Sequence, residues 1–244
     1  MDRFRRDARL GDIDYQFLVD YDLWMAERGL KHNTRIGRLR CIRTLISEAI
    51  KRDLIKTEDD PFRKFKLKGM VSKKGYLKAS EIRRLERRKL IEREAHIRDV
   101  FVFACYTGLR YSDLVSLRSR HVQGGWLTKR MTKTNVMIRI PLNQLWHGRP
   151  QELLKSYKSI EDFSAIGCNS SSNRILSKIG KDAGISMHLT WHVARHTAAT
   201  NLLEAGVPLT TVQQVLGHKK LDITRSYAET DLKALQKDIA KAFK

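Results

Sequence analysis

Residues 191–200 read WHVARHTAAT. Apolar and small side chains separate two histidines from an arginine, a pattern typical of a helix that is largely buried. His192 and Arg195 lie three residues apart, so a helix places both side chains on one face. His196 follows directly, and we interpret it as a structural histidine whose ring is hydrogen-bonded in the core. An imidazole and a guanidinium on one helical face are suited to stabilising negative charge on a phosphoryl group.

Four other segments supply side chains suited to the same task. Arg110 stands at the turn after Gly108 in TGLRYSDL, and His218 follows a glycine in VLGH. Lys133 sits at the tip of a predicted hairpin, and Tyr227 follows His218 by nine residues. Taken singly, each residue also fits an ordinary role: a surface arginine, a core histidine, a turn lysine or a half-buried tyrosine. Their occurrence together and in this order favours a shared site.

The two histidines of WHVARH also raise the alternative of a metal site, because His192 and His196 are four residues apart on a helix. The H-E-x-x-H pattern of zinc helices is absent, and no acidic third ligand lies nearby in the sequence. Arg195 between the two histidines would repel a cation. We therefore predict no metal site and no cofactor.

The composition indicates a nucleic-acid partner. The chain has 244 residues with 48 Lys and Arg against 27 Asp and Glu, a net charge of +21, and 41% hydrophobic residues are enough for a core. The usual intracellular polyanion is nucleic acid, with an anionic membrane surface as the alternative. The three cysteines show no C-x-x-C spacing, and we find neither a signal peptide nor an apolar stretch of ~20 residues. We expect a cytoplasmic protein without disulfides or membrane spans.

A break in composition at KFKLKGMVSKKGYLK, residues 64–78, predicts two domains. We expect a helical domain at 1–68, a linker at 69–78 and a second domain at 79–244. In the first domain, a helix from about Tyr15 should end at Gly29, and a second should begin with Asn33 as its N-cap. Off the apolar stripe of the second helix lie three arginines that either form a solvated basic face or contact phosphates: Arg35, Arg38 and Arg43.

The second domain is predicted to be mostly helical with one hairpin. Ser80 is the expected N-cap of a helix over EIRRLERRKLIERE, and the next apolar helix should stop at Gly108. Short β-rich runs around Leu127 and Ile138, separated by a polar Lys-Thr-Asn turn, predict a small antiparallel sheet. Helical patterns resume toward the C-terminus and include an amphipathic tail over about residues 231–244.

These motifs resemble the tyrosine recombinase (phage integrase) family. The matching features are TGLRYSDL, a lysine in the following hairpin, H-x-x-R-H-T-x-A-T, and L-G-H with a tyrosine nine residues later, over about residues 76–230. The helical N-terminal part resembles the SAM-like core-binding domain of the family more loosely. The resemblance implies a mainly α fold: a helical bundle, a linker and a mostly helical catalytic domain with a small sheet, which together clamp duplex DNA. Both halves carry excess positive charge, as such a clamp needs.

The resemblance also implies roles for the site residues. Tyr227 would attack a phosphodiester and form a 3′-phosphotyrosyl intermediate, and Lys133 would be the general acid for the leaving 5′ oxygen. Asp113 would orient Arg110. The remaining residues would bind the phosphate, and His192 would also help to remove the phenol proton: Arg110, His192, Arg195 and His218.

By the same resemblance, the protein would be a site-specific recombinase, as the integrase of a mobile element, acting through a Holliday junction without metal or ATP. The amphipathic tail would pack on a neighbouring protomer in a tetramer on double-stranded DNA, with a monomer expected without DNA; docking on its own domain is the alternative. Accessory DNA-bending proteins fit the family. Two other functions remain open: a type IB topoisomerase, and a DNA-binding relative that has lost turnover.

Overall fold

The computed structural model describes residues 4–70 and 75–219. The chain divides into two compact units, residues 1–73 and 74–244, which are described separately. Tyr227 and the amphipathic tail lie outside the described residues, so the expectations for them rest on the sequence alone. In the described part of the chain, no helix is both long enough and apolar enough to cross a lipid bilayer.

The first unit is built on two helices, α1 (Tyr15–Glu27) and α2 (His32–Lys51). Asp14 caps α1 by accepting a hydrogen bond from the backbone N–H of Phe17. Gly29 follows α1 with a φ of 71°, so the predicted stop is confirmed. Short 3-10 turns at Leu10–Asp12, Thr57–Asp59 and Pro61–Arg63 complete the unit. The core consists of these buried residues: Phe17, Leu18, Tyr21, Met25, Ile36, Leu39, Ile42, Ile46 and Phe62.

The prediction that Asn33 caps α2 is wrong. The helix begins at His32, and Lys31 occupies the N-cap position. The Asn33 amide instead exchanges two hydrogen bonds with the backbone of Met70, donating to its carbonyl at 2.8 Å and accepting from its N–H at 2.9 Å. This pairing holds the segment after the bundle against the start of α2.

The second unit contains eight helices among the described residues: α3 (Ala79–Glu86), α4 (Glu92–Thr107), α5 (Tyr111–Leu114), α6 (Arg149–Lys155), α7 (Ile160–Ser164), α8 (Asn169–Asp182), α9 (Trp191–Glu204) and α10 (Leu209–Leu216). Helix α4 is its centre and packs most extensively on α9. Residues 100–105 of α4 are fully buried on every side, which explains why the C-terminal half of that helix has no polar face. The helix ends at Gly108, as predicted.

The sheet is antiparallel in the order β1-β2-β3, formed by β1 (Val122–Gln123), β2 (Trp126–Arg130) and β3 (Met137–Pro141). The predicted hairpin is β2-β3, in which Leu127 pairs with Ile140. The Gly-Gly before it forms a turn of its own, with φ values of 56° and 80°, and adds the short strand β1. The mainly α fold with a small antiparallel sheet is therefore confirmed.

Two predictions for the start of this unit are wrong. Ser80 does not cap α3, because the helix already begins at Ala79 and the backbone N–H of Lys78 donates to the Glu81 carboxylate at 2.8 Å. The helix expected over residues 81–94 ends at Glu86. There the guanidinium of Arg98 donates to the carbonyls of Glu86 and Arg88, at 3.2 and 2.7 Å, and terminates the helix.

Candidate active site

Arg195 is buried and holds two distant loops together. Its guanidinium donates to the carbonyl of Gly108 at 2.7 Å and to the carbonyl of Leu216 at 2.6 Å. These carbonyls lie at the C-terminal ends of α4 and α10, where backbone acceptors lack intrahelical partners and the helix dipole is negative. One cationic side chain on α9 therefore fixes the segments that lead to Arg110 and to His218.

Two glycines allow this close approach. Gly108 and Gly217 both cap helices in the left-handed conformation, with φ of 70° and 61°. A Cβ on Gly108 would lie 2.4 Å from a methyl carbon of Leu216. A Cβ on Gly217 would lie 3.0 Å from Met131 and 3.1 Å from Ile138, at the base of the β2-β3 hairpin. Both positions have a backbone conformation that favours glycine; a Cβ would clash at Gly108 and would require its neighbours to move by a few tenths of an ångström at Gly217.

His218 is neutral at physiological pH. It is only 6% exposed, and burial together with the positive charges of Arg195 and Arg110 lowers its pKa to about 4. Its backbone is fixed by Gln213, whose carbonyl accepts from the His218 N–H and whose side-chain amide donates to the His218 carbonyl, both at 3.1 Å. The electrostatic influence of both arginines on one imidazole places the three side chains in one cluster.

The β2-β3 hairpin is attached to this cluster on both sides of Lys133. The backbone N–H of Thr132 donates to the Asp113 carboxylate at 2.7 Å, and the Thr134 hydroxyl donates to the Gly217 carbonyl at 3.1 Å. Lys133 itself is exposed at the tip. The predicted general acid thus lies between one bond to the Arg110 segment and one to the His218 segment.

Asp113 is fully buried and serves the hairpin. Besides its bond to Thr132, its charge raises the pKa of the nearby Lys129, whose burial lowers that pKa more strongly. The Lys129 ammonium donates to the Ser116 carbonyl at 3.3 Å. Orientation of Arg110 by Asp113 stays a prediction.

The two histidines of α9 differ in environment. His192 is exposed, His196 is buried, and their rings meet edge to face with centroids 4.8 Å apart. Thr190 caps the helix by accepting from the N–H of Val193. His192 therefore sits one helical turn before Arg195 at the solvent side, and the burial of His196 fits the structural role expected for it.

The three arginines proposed on α2 belong to the first unit and are not equivalent. Arg35 is half-buried and forms an ion pair with Asp22 at 3.2 Å. Arg38 and Arg43 are exposed. The ion pair neutralises Arg35, so contact with phosphates is a hypothesis that fits Arg38 and Arg43 better.

The sequence reasoning missed two residues of this region. Thr134 follows Lys133 in a polar turn, where threonine is ordinary, so no sequence signal distinguishes its bond to the other loop. Gly217 had a signal: a glycine directly before a candidate histidine and after an apolar helix indicates a tight cap.

The fold and the cluster together define a class: a mostly helical protein with a small antiparallel sheet, in which a buried arginine, a second arginine and a buried imidazole form one cationic cluster. Residues 76–233 match the model of the phage integrase family, and residues 1–67 match that of the phage integrase SAM-like domain. The chain therefore belongs to the phage integrase family of tyrosine recombinases.

Curated relatives include the tyrosine recombinases XerC of Rickettsia bellii (strain OSU 85-389) and Rickettsia canadensis (strain McKiel). Each is 31% identical over 150 residues, which cover 56% of this chain and 47% of the relative. The chain thus spans about half the length of these relatives.

Solved structures of similar fold include a lambda integrase dimer bound to a COC' core site, with a TM-score of 0.75, 21% identity and coverage of 93% of this chain and 83% of that chain. Another is the Tn1549 transposon integrase in complex with a circular intermediate DNA, with a TM-score of 0.72, 18% identity and coverage of 95% and 86%. At these identities the likeness establishes the fold.

Proposed function

We propose that this protein is a site-specific DNA recombinase of the integrase type, which cuts and rejoins strands through a 3′-phosphotyrosyl intermediate on Tyr227 and a Holliday junction. The observation that supports this most is the guanidinium of Arg195, which ties the Arg110 segment and the His218 segment to one point. Three positive or hydrogen-donating groups can then act on a single ligand, and membership of the family supports a DNA phosphate as that ligand.

The proposed reaction exchanges one phosphate ester for another. The phenol oxygen of Tyr227 attacks phosphorus, the bond from phosphorus to the 5′ oxygen breaks, and Lys133 donates a proton to that oxygen. His192 accepts or relays the phenol proton. Because the ester bond is conserved in the protein–DNA linkage, the reverse attack by a 5′ hydroxyl reseals the strand without a nucleotide triphosphate or a metal.

The side chains in the cluster suit the charge that develops in this reaction. The transition state carries extra negative charge on the non-bridging oxygens, and planar guanidiniums present paired donors to such oxygens. His218, neutral because of its lowered pKa, contributes an N–H donor without adding a further buried charge. Removal of one oriented donor typically costs roughly 10²–10³ in rate.

We further propose that double-stranded DNA is the substrate and that protomers assemble on it as a tetramer through the C-terminal tail. Solved proteins of similar fold include a lambda integrase tetramer bound to a Holliday junction and the XerH site-specific recombinase bound to a palindromic difH substrate. A cytoplasmic location and accessory DNA-bending proteins remain part of the proposal.

The decisive experiment is trapping on a suicide duplex that carries the attachment site. The wild-type chain should give an SDS-resistant protein–DNA adduct, Tyr227→Phe should give none while binding DNA normally, and Tyr15→Phe, which removes an exposed hydroxyl in the first unit, should behave as wild type. An adduct that survives Tyr227→Phe would refute the nucleophile. Relaxation of supercoiled DNA without synapsis would instead support the topoisomerase-like alternative.

A further inference from the structure

A line of arginines runs along α3 and the turn that follows it, and none of them belongs to the candidate active site. Ser80 begins it, and the arginines follow at helical spacings of three, four, seven and eight residues: Arg83, Arg84, Arg87 and Arg88. We call these four residues the arginine stripe. With Ser80 they line an open groove of about 510 Å³, and all four are exposed.

Among the described residues, no carboxylate forms an ion pair with the stripe, and Asp182 lines a surface pocket together with Arg88. Glu86, the one acid within residues 83–89, faces inward, where its carboxylate accepts hydrogen bonds from Arg149 and Tyr106 at 3.1 and 3.2 Å. Glu94, which borders the neighbouring surface, is paired with Lys178 at 2.7 Å. None of the ion pairs in residues 4–70 and 75–219 includes an arginine of the stripe.

The stripe is held in place although its charges repel. Arg84 donates to the carbonyls of Ala183 and Gly184 at the end of α8, and Arg98 fixes the backbone of Arg88 by donating to its carbonyl. Like charges four residues apart destabilise a helix by about 0.2–0.5 kcal/mol per pair. The stripe contains two such pairs, so an external polyanion would relieve a built-in repulsion.

The stripe is attached to the second unit at two places. Just before α3, the backbone N–H of Leu77 donates to the Thr197 hydroxyl at 2.9 Å and its carbonyl accepts from the Asn201 amide at 3.2 Å, so α3 starts beside α9. Arg84 fixes the stripe to the C-terminal end of α8. A duplex held at the cluster carries one charge per ~1.7 Å of its length, so further phosphates are available to a basic surface next to α9.

We propose that the arginine stripe is a second phosphate-binding surface, which grips the DNA backbone outside the segment held at the candidate active site. Its length of about 8 Å faces roughly four duplex charges, and guanidiniums pair with phosphate oxygens in a bidentate way. The choice of DNA as the ligand rests on the proposed function. Because the stripe contacts no reacting group, it contributes affinity and leaves the chemical step unchanged.

The test measures binding of a 40-base-pair duplex of arbitrary sequence by fluorescence anisotropy over a range of salt concentrations. Arg83→Gln/Arg87→Gln should lower the magnitude of the salt slope by roughly 1.8 and weaken binding roughly 10- to 100-fold near 0.1 M salt, since each lost contact removes ~0.9 of slope. Arg83→Lys/Arg87→Lys should retain the slope. The matched control, Lys51→Ala/Lys56→Ala, removes two exposed lysines that are paired with Glu48 and Glu58 and should change the slope less.

The proposal is overturned if the salt slope of Arg83→Gln/Arg87→Gln is as large as that of the control variant. It is also overturned if the stripe binds an acidic protein while the DNA affinity of the Gln variant stays at the wild-type level. Thermal unfolding without DNA should show the Gln variant at least as stable as wild type, because repulsion has been removed; a large loss of stability would mean that the arginines serve the fold instead. Adduct formation on the suicide duplex is scored separately. If the wild-type chain forms the adduct but the Gln substitutions leave the salt slope unchanged, only the proposal for the stripe is refuted. If the Gln substitutions change the salt slope but no adduct forms, only the recombinase chemistry is refuted.

Discussion

Acid should unfold this protein partly through His218. Its pKa is about 4 in the folded chain against an ordinary value of 6.5, because burial and two arginines disfavour the imidazolium. The unfolded chain therefore binds a proton on this histidine more readily than the folded chain does. The contribution of the neutral His218 ring to the free energy of unfolding is complete above about pH 6.5. It is lost as the pH falls toward 4.

The size of the effect follows from the two pKa values. At pH 5 the unfolded histidine is almost fully protonated and the folded one almost fully neutral, which corresponds to about 2 kcal/mol of lost unfolding free energy relative to pH 7.5. The loss grows to about 3 kcal/mol below pH 4. These figures are upper values, because solvent screening around a partly enclosed ring reduces the effect of the shift on the free energy of unfolding.

The assay is urea unfolding followed by tryptophan fluorescence at pH 7.5 and pH 5. His218→Gln removes the titrating group. Between pH 7.5 and pH 5, the free energy of unfolding of this variant should fall by about 2 kcal/mol less than that of wild type. His188→Gln, which changes an exposed histidine of the same unit, should lose as much as wild type. Histidine NMR should give the midpoint of His218 directly. Equal losses in wild type and His218→Gln, or a midpoint at 6.5 or above, would refute the reasoning.

Three further predictions concern the contacts around the cluster. Gly108→Ala should lower the unfolding free energy by about 2–4 kcal/mol in urea titrations, because it adds a left-handed alanine to a clash with Leu216. Arg195→Lys should slow adduct formation roughly 10²–10³-fold and cost about 1–3 kcal/mol of stability, because an ammonium does not reproduce the forked bonds to two carbonyls. Thr134→Val should slow cleavage of an ordinary phosphodiester roughly 3- to 10-fold by releasing the Lys133 hairpin, with little effect on a substrate whose 5′-bridging oxygen is sulfur and whose leaving group needs no proton.

Each of these predictions has a control or an outcome that would contradict it. Gly206→Ala meets open space at a φ of 83°, so it should show only the backbone cost of about 1–2 kcal/mol; a Gly108→Ala loss no larger than this would contradict the packing argument. Lys133→Ala should slow cleavage of the ordinary phosphodiester more than Thr134→Val does. Like Thr134→Val, it should have little effect on the substrate with the 5′-bridging sulfur. Equal slowing on both substrates by Thr134→Val would exclude a positioning role through Lys133. If the Arg195→Lys variant cleaved as fast as wild type, Arg195 would have no part in the chemistry.

Much of the fold follows from local patterns in the sequence. Gly29 and Gly108 end helices because each adopts a left-handed conformation just past an apolar run. The alternation of Leu127 in β2, and of Ile138 and Ile140 in β3, matches the buried face of the sheet. These signals depend on neighbours close in the chain, which is why they are readable without a structure.

The prediction of the Asn33 cap and the predicted length of α3 failed because both depend on residues distant in the sequence. Asn33 is a good N-cap by type, yet its amide pairs with Met70, which lies 37 residues away. Likewise, the run after Ser80 looks helical throughout, but Arg98 ends the helix from outside it. Local propensity differs little between these options, so a tertiary hydrogen bond decides.

The candidate site could be predicted as a set of residue types and not as a geometry. The family-like motifs name Arg110, Arg195 and His218, but the carbonyls that hold Arg195 come from positions 87 and 21 residues away. The lowered pKa of His218 depends on burial that only the folded chain creates. The bond that attaches the hairpin through Thr134 also joins residues distant in the sequence and exists only in the folded chain.

The anchoring of Arg195 changes how a mutational screen of this protein should be read. A screen that scores only recombined DNA would place Arg195 and His192 in the same category of essential residues. Arg195, however, joins the ends of two helices, so its variants should also lower the amount of intact protein in the cell, whereas variants of the exposed His192 should accumulate normally. Measuring protein abundance together with recombined DNA would distinguish a side chain that stabilises the structure of the site from one that acts only in the reaction.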